Sequence, residues 1–265
     1  MVYAAFSDAP IGVFDSGIGG LSILKALRAE MPQERFVYFA DSAHNPYGDK
    51  SDAFVIERSR AIAEQLVSGH HIKALVIACN TATAAAIQIL RAEYPGLPII
   101  GVEPALKPAV TASRTKRIAV LATRGTLQSA KFLALKASLA DQAEFICTPC
   151  DGLADMIERS TDTHDASHLI AACASFICAT GPFGIQNGAI DTLVLGCTHY
   201  PLVRSAFRQA VGDAVHMVDN GQAVAKRVAA LIAPTSVITT ALDKEVVWLS
   251  SAAHHSLATS AARWM

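Results

Sequence analysis

The 265-residue chain has no excess of charge of either sign. Lys plus Arg number 22 and Asp plus Glu 23, a net charge of −1. Such a balance offers no basic field for a nucleic-acid backbone and no acidic tail, which speaks against nucleic-acid binding as the main activity. Charged residues make up only 17% of the chain and hydrophobic ones 52%. That mix excludes a disordered polyampholyte and supplies ample material for buried cores. The length is long for one domain of about 100–200 residues and short for three. Long hydrophobic runs are missing as well. The longest stretch without Asp, Glu, Lys or Arg, 166–190, is broken by Gly181-Pro182 and Asn187-Gly188, so it reads as a buried helix plus a turn rather than a span. No Lys or Arg precedes Lys25, so the charged start of a signal peptide is absent. The expectation is a cytoplasmic protein without membrane attachment.

Cysteine is too sparse for a disulfide framework: six residues, at 79, 147, 150, 173, 178 and 197. Cys147, Cys150, Cys173 and Cys178 can be forced into a zinc site, but paired zinc knuckles use two loop-borne C-x2-C turns. Cys173 and Cys178 instead lie in an Ala-rich helical pattern over 168–179. Free buried thiols are the better reading, and no metal ligand set is found. His70-His71 and His254-His255 read as solvated pairs, and the tail from 235 to 265, with Trp248 and Trp264, carries no legible chemistry. Nucleotide motifs are missing too. There is no Gly-Lys-Ser/Thr loop, and the glycine run at 17–20 has Ser22 where a dinucleotide fingerprint needs its last glycine.

Short β-rich runs alternate with longer helical patterns. Strands are expected at 11–14, 36–39, 74–78, 99–102, 118–121, 144–146, 192–195 and 216–218. Helices are expected at 21–30, 53–68, 83–93, 127–139, 201–211 and 222–232. Apolar strands alternating with helices imply parallel sheets covered on both faces. The strands also repeat. IGVFDSG at Ile11 matches IAVLATRG at Ile118, ERFVYFAD at Glu34 matches AEFICTPC at Ala143, ALVIACNTAT at Ala74 matches TLVLGCTHYP at Thr192, and PIIGVEPAL at Pro98 matches VHMVDNGQA at Val215. Four matches in one order, each displaced by roughly 105–120 residues, argue for two similar halves. The expected domains are 1–102 with 219–265, carrying Cys79, and 103–218, carrying Cys197.

Cys79 and Cys197 occupy matching places, each after a strand and before helix-start residues. Asn80 and Thr81 are the N-cap candidates in the first case, and Pro201 suits a first helical position in the second. Each thiol is therefore expected at the carboxyl end of a parallel strand near a helix N-terminus, where open α/β sheets bind ligands and a thiolate is favoured. A lone cysteine at a strand end is ordinarily just a small buried residue; the matched pair is what points to chemistry. Asp15, taken alone, reads as a turn residue bonded to its own loop, and His199 as a hydrogen-bonding residue between domains. A Cys–His hydrolase built on Cys197 and His199 is the rival, but it needs one thiol and leaves Cys79 unexplained. Arg204 lies one residue too far from Cys197 for a Cys-x5-Arg phosphatase loop.

FDSGIGG (14–20), PYG (46–48), ACNTAT (78–83), GVEP (101–104), ATRGT (122–126) and LGCTHYP (195–201) together resemble the motif set of the glutamate racemases, within the wider aspartate/glutamate racemase superfamily. The resemblance implies an α/β fold of two similar flavodoxin-like parallel-sheet domains related by pseudo-twofold symmetry, with the active site in the cleft between them. It implies racemisation of L-glutamate to D-glutamate for peptidoglycan by two thiols, without a cofactor, and a homodimer. Related racemases acting on aspartate or a hydantoin are the alternative. By resemblance, Cys79 and Cys197 flank the substrate α-carbon, Asp15 assists the first thiol and His199 the second. Glu158 falls where the family has an acidic residue, although CDGLADMIE (150–158) departs from the commoner pattern, and from sequence alone Glu158 is an exposed helical residue. Ser16, Pro46, Tyr47 and Gly48 match positions around the side-chain carboxylate. Asn80, Thr81, Thr123, Thr126 and Thr198 match positions around the amino-acid head group.

Overall fold

The computed structural model describes residues 8–160, 167–232, 246–252 and 255–265. Its side-chain description omits 255, 256, 258 and 259, so His254 and the side chain of His255 lie outside the described residues. The described chain divides into two compact units, one running to Val102 and resuming at Gly221, the other spanning Glu103–Asn220.

The first unit is built from β1 (Ile11–Asp15), α1 (Leu21–Glu30), β2 (Phe36–Ala40), α2 (Asp52–His70), β3 (Ala74–Ile77), α3 (Asn80–Glu93) and β4 (Ile99–Gly101). The second contains α4 (Leu106–Ala112), β5 (Arg117–Ala122), α5 (Arg124–Gln128), α6 (Ala130–Ala137), β6 (Glu144–Pro149), α7 (Leu153–Arg159), α8 (Ser167–Thr180), β7 (Thr192–Leu195), α9 (Arg204–Val211) and β8 (His216–Val218). The chain then returns to the first unit with α10 (Gly221–Ala229), β9 (Val247–Ser250) and α11 (His255–Trp264). No helix among the described residues is long and apolar enough to cross a membrane.

Both sheets are parallel. The first has the order β4-β3-β1-β2-β9 and the second β6-β5-β7-β8. Numbered within each unit, the first four strands lie in the same order, second-first-third-fourth, read from opposite edges. The repeat in the sequence therefore corresponds to a repeat of topology. Every residue of β1, β2 and β3 is buried, as parallel strands covered on both faces require. Phe14, Ile77, Leu66, Ile62 and Leu90 centre one core, and Ile118, Val120, Val194, Leu106 and Phe132 the other.

Several local expectations are revised. The first unit has a further strand, β9, paired with β2 and contributed by a tail that showed no signal; Trp248 on it packs against Tyr38 with ring centroids 5.7 Å apart. The helix expected over 127–139 is two helices, because Ser129 is extended and its Oγ caps α6 by accepting from the Phe132 amide at 3.2 Å. Asp219 and Asn220 belong with the second unit. Arg204 Nη1 reaches Asp219 Oδ2 at 2.7 Å, and the Asn220 amide donates to the Glu103 carbonyl.

Asp191 ties the second unit together just before β7. Its carboxylate accepts from Ser113 Oγ at 2.6 Å, the Arg114 and Thr115 amides at 2.7 and 2.9 Å, and Thr192 Oγ1 at 3.0 Å. Burial opposes the charge, but these donors outweigh it and hold the carboxyl at about 2, below the ordinary 3.8. A depressed carboxylate stabilises the fold above its unfolded value and ceases to do so as pH falls through its folded value. Asp191→Ala should cost about 2–3 kcal/mol in urea unfolding at neutral pH. Asp191→Asn should flatten the loss of stability between about pH 4 and pH 2.

Candidate active site

Each unit gathers its polar residues at the carboxyl ends of the two strands between which the order reverses: β1 and β3 in the first, β5 and β7 in the second. At such a switch point the following loops diverge to opposite faces and leave a crevice for a ligand.

In the first unit the loop after β1 carries Asp15 and Ser16. Asp15 is fully buried, and its Oδ2 accepts from the Gly20 amide at 2.9 Å and the Gly17 amide at 3.2 Å. Tyr38 Oη donates to the Gly17 carbonyl at 2.8 Å, which pins the loop from β2. Gly20 is required by space, since a Cβ there would lie 2.7 Å from both Asp15 Cβ and Tyr38 Oη. After β3, Cys79 is itself the N-cap of α3, in place of the expected Asn80 or Thr81. Its Sγ accepts from the Ala82 amide at 3.5 Å, which puts Asn80 at the first helical position. The buried Cys79 thiol also lies 3.9 Å from Ser16 Oγ. The positive end of a 14-residue helix stabilises negative charge on that sulfur. Neither amide atom of Asn80, 5% exposed, has a hydrogen-bond partner among the described residues. Leaving such a group unsatisfied costs about 1–3 kcal/mol, which a polar ligand would recover. Thr81 is buried beside it. Pro46, Tyr47 and Gly48 lie between β2 and α2, where Tyr47 opens a short 3-10 turn and is buried.

In the second unit Gly196 brings β7 against β5, where any side chain would meet the Leu121 carbonyl at 2.8 Å. The next residue, Cys197, is buried but is not at a helix N-terminus. A 3-10 turn, Tyr200–Val203, separates it from α9, so the expected helix-end stabilisation does not apply. Its charge support comes instead from side chains. Cys197 Sγ lies 3.7 Å from His199 Nδ1, and His199 Nε2 lies 2.8 Å from Glu158 Oε2. Glu158 is thus not an exposed helical residue: its side chain is 17% exposed and faces the 3%-exposed imidazole. Burial pushes the His199 pKa down, but the bonds to Cys197 and Glu158 outweigh it and raise the value well above 6.5. The imidazolium so favoured lies beside the Cys197 sulfur. Thr198 is buried next to the thiol. Thr123 caps α5, with its Oγ1 2.9 Å from Thr126 Oγ1 at the end of β5. Arg204, bonded to Asp219 and the Met217 carbonyl, braces β8.

A family model described as Asp/Glu/Hydantoin racemase matches residues 21–228. The chain belongs to this family. It is 46% identical over 246 residues to a protein of Ralstonia nicotianae named glutamate racemase, covering 93% of this chain and 86% of that one. A protein of Ectopseudomonas mendocina with the same name is 45% identical over 235 residues, covering 88% and 86%. Among solved structures, Escherichia coli glutamate racemase in complex with L-glutamate and the activator UDP-MurNAc-ala superimposes with a TM-score of 0.83 at 29% identity, covering 95% of this chain and 92% of that one. The Francisella tularensis glutamate racemase in complex with D-glutamate gives 0.79 at 27% identity, covering 98% and 94%.

The sequence did not single out Asp41, His44 or Arg58; Tyr47, His44 and Arg58 all meet the Asp41 carboxylate. The signal available was position, because Asp41 follows β2 directly, as Asp15 ends β1 and Cys79 closely follows β3.

The His199–Glu158 contact makes a direct prediction. Followed by NMR, the His199 imidazole should remain protonated above the ordinary histidine range, and Glu158→Gln should lower its pKa. Titration at the ordinary histidine value in both forms would show that the carboxylate does not hold the proton.

Proposed function

We propose that this protein interconverts L- and D-glutamate by transfer of the α-proton between two thiols, Cys79 and Cys197, and so supplies D-glutamate for peptidoglycan. The observation that carries the reading is that the two cysteines in matching positions of two like-ordered sheets each have charge support, within a chain of the racemase family. Relatives with 46% and 45% identity, each matched over 86% of its length, carry the name glutamate racemase, which favours glutamate over aspartate or a hydantoin.

A cysteine thiol titrates near pH 8.5, so only a few per cent is ionised at neutral pH without help. For Cys79 the help is the α3 N-terminus; for Cys197 it is His199, backed by Glu158. In the reaction one thiolate takes the α-proton: the C–H bond breaks, an S–H bond forms, and the electron pair stays on the α-carbon. The other thiol gives its proton to the opposite face, where S–H breaks and C–H forms. Nothing is oxidised or reduced, and the step balances without a further reactant. The two groups end in exchanged protonation states, so the return reaction uses the same pair. In this reading Asp15 assists Cys79. Ser16 and the 46–48 turn meet the side-chain carboxylate, and Asn80, Thr81, Thr123, Thr126 and Thr198 meet the head group with neutral donors whose bonds strengthen in a water-poor site.

Purified protein given either enantiomer, with no added cofactor, should bring the circular-dichroism signal of that enantiomer down to zero, before and after dialysis against a chelator. A flat trace with glutamate and turnover of aspartate would transfer the assignment to a related racemase. Cys79→Ala and Cys197→Ala should each lower the rate by about 10²–10⁴, and the double variant should lose little more, because the pair acts as a unit. By the family resemblance Cys79 serves D-glutamate and Cys197 serves L-glutamate, so in heavy water Cys197→Ala should favour exchange of the D-glutamate α-hydrogen and Cys79→Ala that of L-glutamate. Near wild-type racemisation by either variant would end the two-thiol mechanism.

A further inference from the structure

Asp41, just past β2, is a fully buried carboxylate with an unusual concentration of donors. Tyr47 Oη donates to its Oδ2 at 2.5 Å. The Arg58 guanidinium, on α2, grips both oxygens, Nε to Oδ2 and Nη2 to Oδ1, each at 2.9 Å. His44 Nδ1 lies 2.9 Å from Oδ1. The tip of β9 closes the arrangement: the Ala43 amide donates to Ser251 Oγ at 3.0 Å, and the Ser251 amide to the Ala40 carbonyl at 3.1 Å. All of these bonds except those to Ser251 fall within the single crossover from β2 to α2.

We propose that Asp41, together with Arg58, is a positioning residue that fixes the 46–48 turn in the shape that receives the substrate's side-chain carboxylate. The assignment of that carboxylate rests on the function proposed above; the clamping of the turn does not. A buried charge is costly unless paired, and an apolar replacement of a purely structural pair is often neutral or stabilising. What separates Asp41 from a structural charge is where its bonds go. The Tyr47 hydroxyl is directed at Asp41, so Tyr47 affects a ligand through the path of the turn. Burial works against the Asp41 charge, but Arg58, Tyr47, Ser251 and His44 outweigh it and keep the carboxyl below its ordinary value. The clamp therefore remains charged throughout the neutral range. The same sheet supplies a contrast. Lys73 Nζ and Glu34 Oε2 form a pair at 2.5 Å, with side chains 6% and 1% exposed, beside the amino ends of β3 and β2 and remote in the fold from the turn.

Two measurements on the full chain decide between positioning and mere stability. One is steady-state kinetics with L- and D-glutamate; the other is amide hydrogen exchange over residues 42–50. Asp41→Asn keeps the shape and removes the charge. It should raise KM on the order of ten- to a hundredfold with kcat changed far less, and should speed exchange over 42–50 roughly tenfold or more while the β1 and β3 amides stay protected. Tyr47→Phe, which leaves the Asp41–Arg58 pair intact, should move both readouts the same way by less, and it serves if Asp41→Asn does not fold. Lys73→Gln should lower Tm without moving either. Exchange over 42–50 and KM within twofold of wild type in the folded variants, or an equal rise of KM in Lys73→Gln, would overturn the proposal. If the wild-type protein turns over no glutamate, the proposed substrate fails and the exchange measurement alone decides whether Asp41 holds the turn.

Discussion

The constraint on which the rest depends is the strand order. In each sheet the first strand lies between the second and the third, so the connections leaving the first and third strands run to opposite faces. The loops after β1 and β3, and after β5 and β7, must separate at that point, and side chains there are surrounded by backbone without being sealed by it. Every candidate catalytic residue but Glu158 follows from this: Asp15 and Cys79 at one reversal, Cys197 and His199 at the other. Glu158 comes from α7, after the neighbouring strand β6, and its carboxylate meets His199. Close approach at the reversals also sets the glycines, Gly20 against Tyr38 and Gly196 against the Leu121 carbonyl.

The two reversals share a plan and differ in electrostatics. Cys79 caps a long helix, so its negative charge is met by backbone amides, a stabilisation that does not titrate. Cys197 precedes only a 3-10 turn, and beside it lies an imidazole whose bonds to Cys197 and Glu158 favour its protonated form. Two thiols with the same reference acidity are thus supported by a fixed dipole in one unit and a titratable cation in the other.

The first unit carries its own reinforcement. Strand β9 lengthens the sheet beyond β2, and through Ser251 it reaches the loop that contains Asp41. The tail is therefore part of the support for the 46–48 turn, although it looked chemically empty. Among the described residues the second unit has no corresponding strand. There Asp191, at the opposite end of β7 from Cys197, supplies a comparable tie with main-chain and hydroxyl donors.

Much of this was legible in the sequence because it is written in local pattern. Buried parallel strands give continuous apolar runs, helices give the longer period, and a duplicated topology gives four motif matches in register. Those signals located eight strands and the two cysteines without any contact being known. Strand β9 escaped because Trp248 and its neighbours form a short, half-exposed edge with no repeat partner. Contacts distant in the chain were equally invisible: Arg58 with Asp41, Ser251 with Ala43, Glu158 with His199. Glu158 is the clearest case. Its helical setting was readable from its neighbours, but its burial depended on an imidazole 41 residues away. The sequence by itself determined the elements, their duplication and the residue types at the strand ends, since these depend on periodicity and on neighbours a few residues apart. Only the tertiary structure decided which charge each thiol meets, because that depends on which side chains folding brings within a few ångströms, and spacing along the chain does not encode that distance.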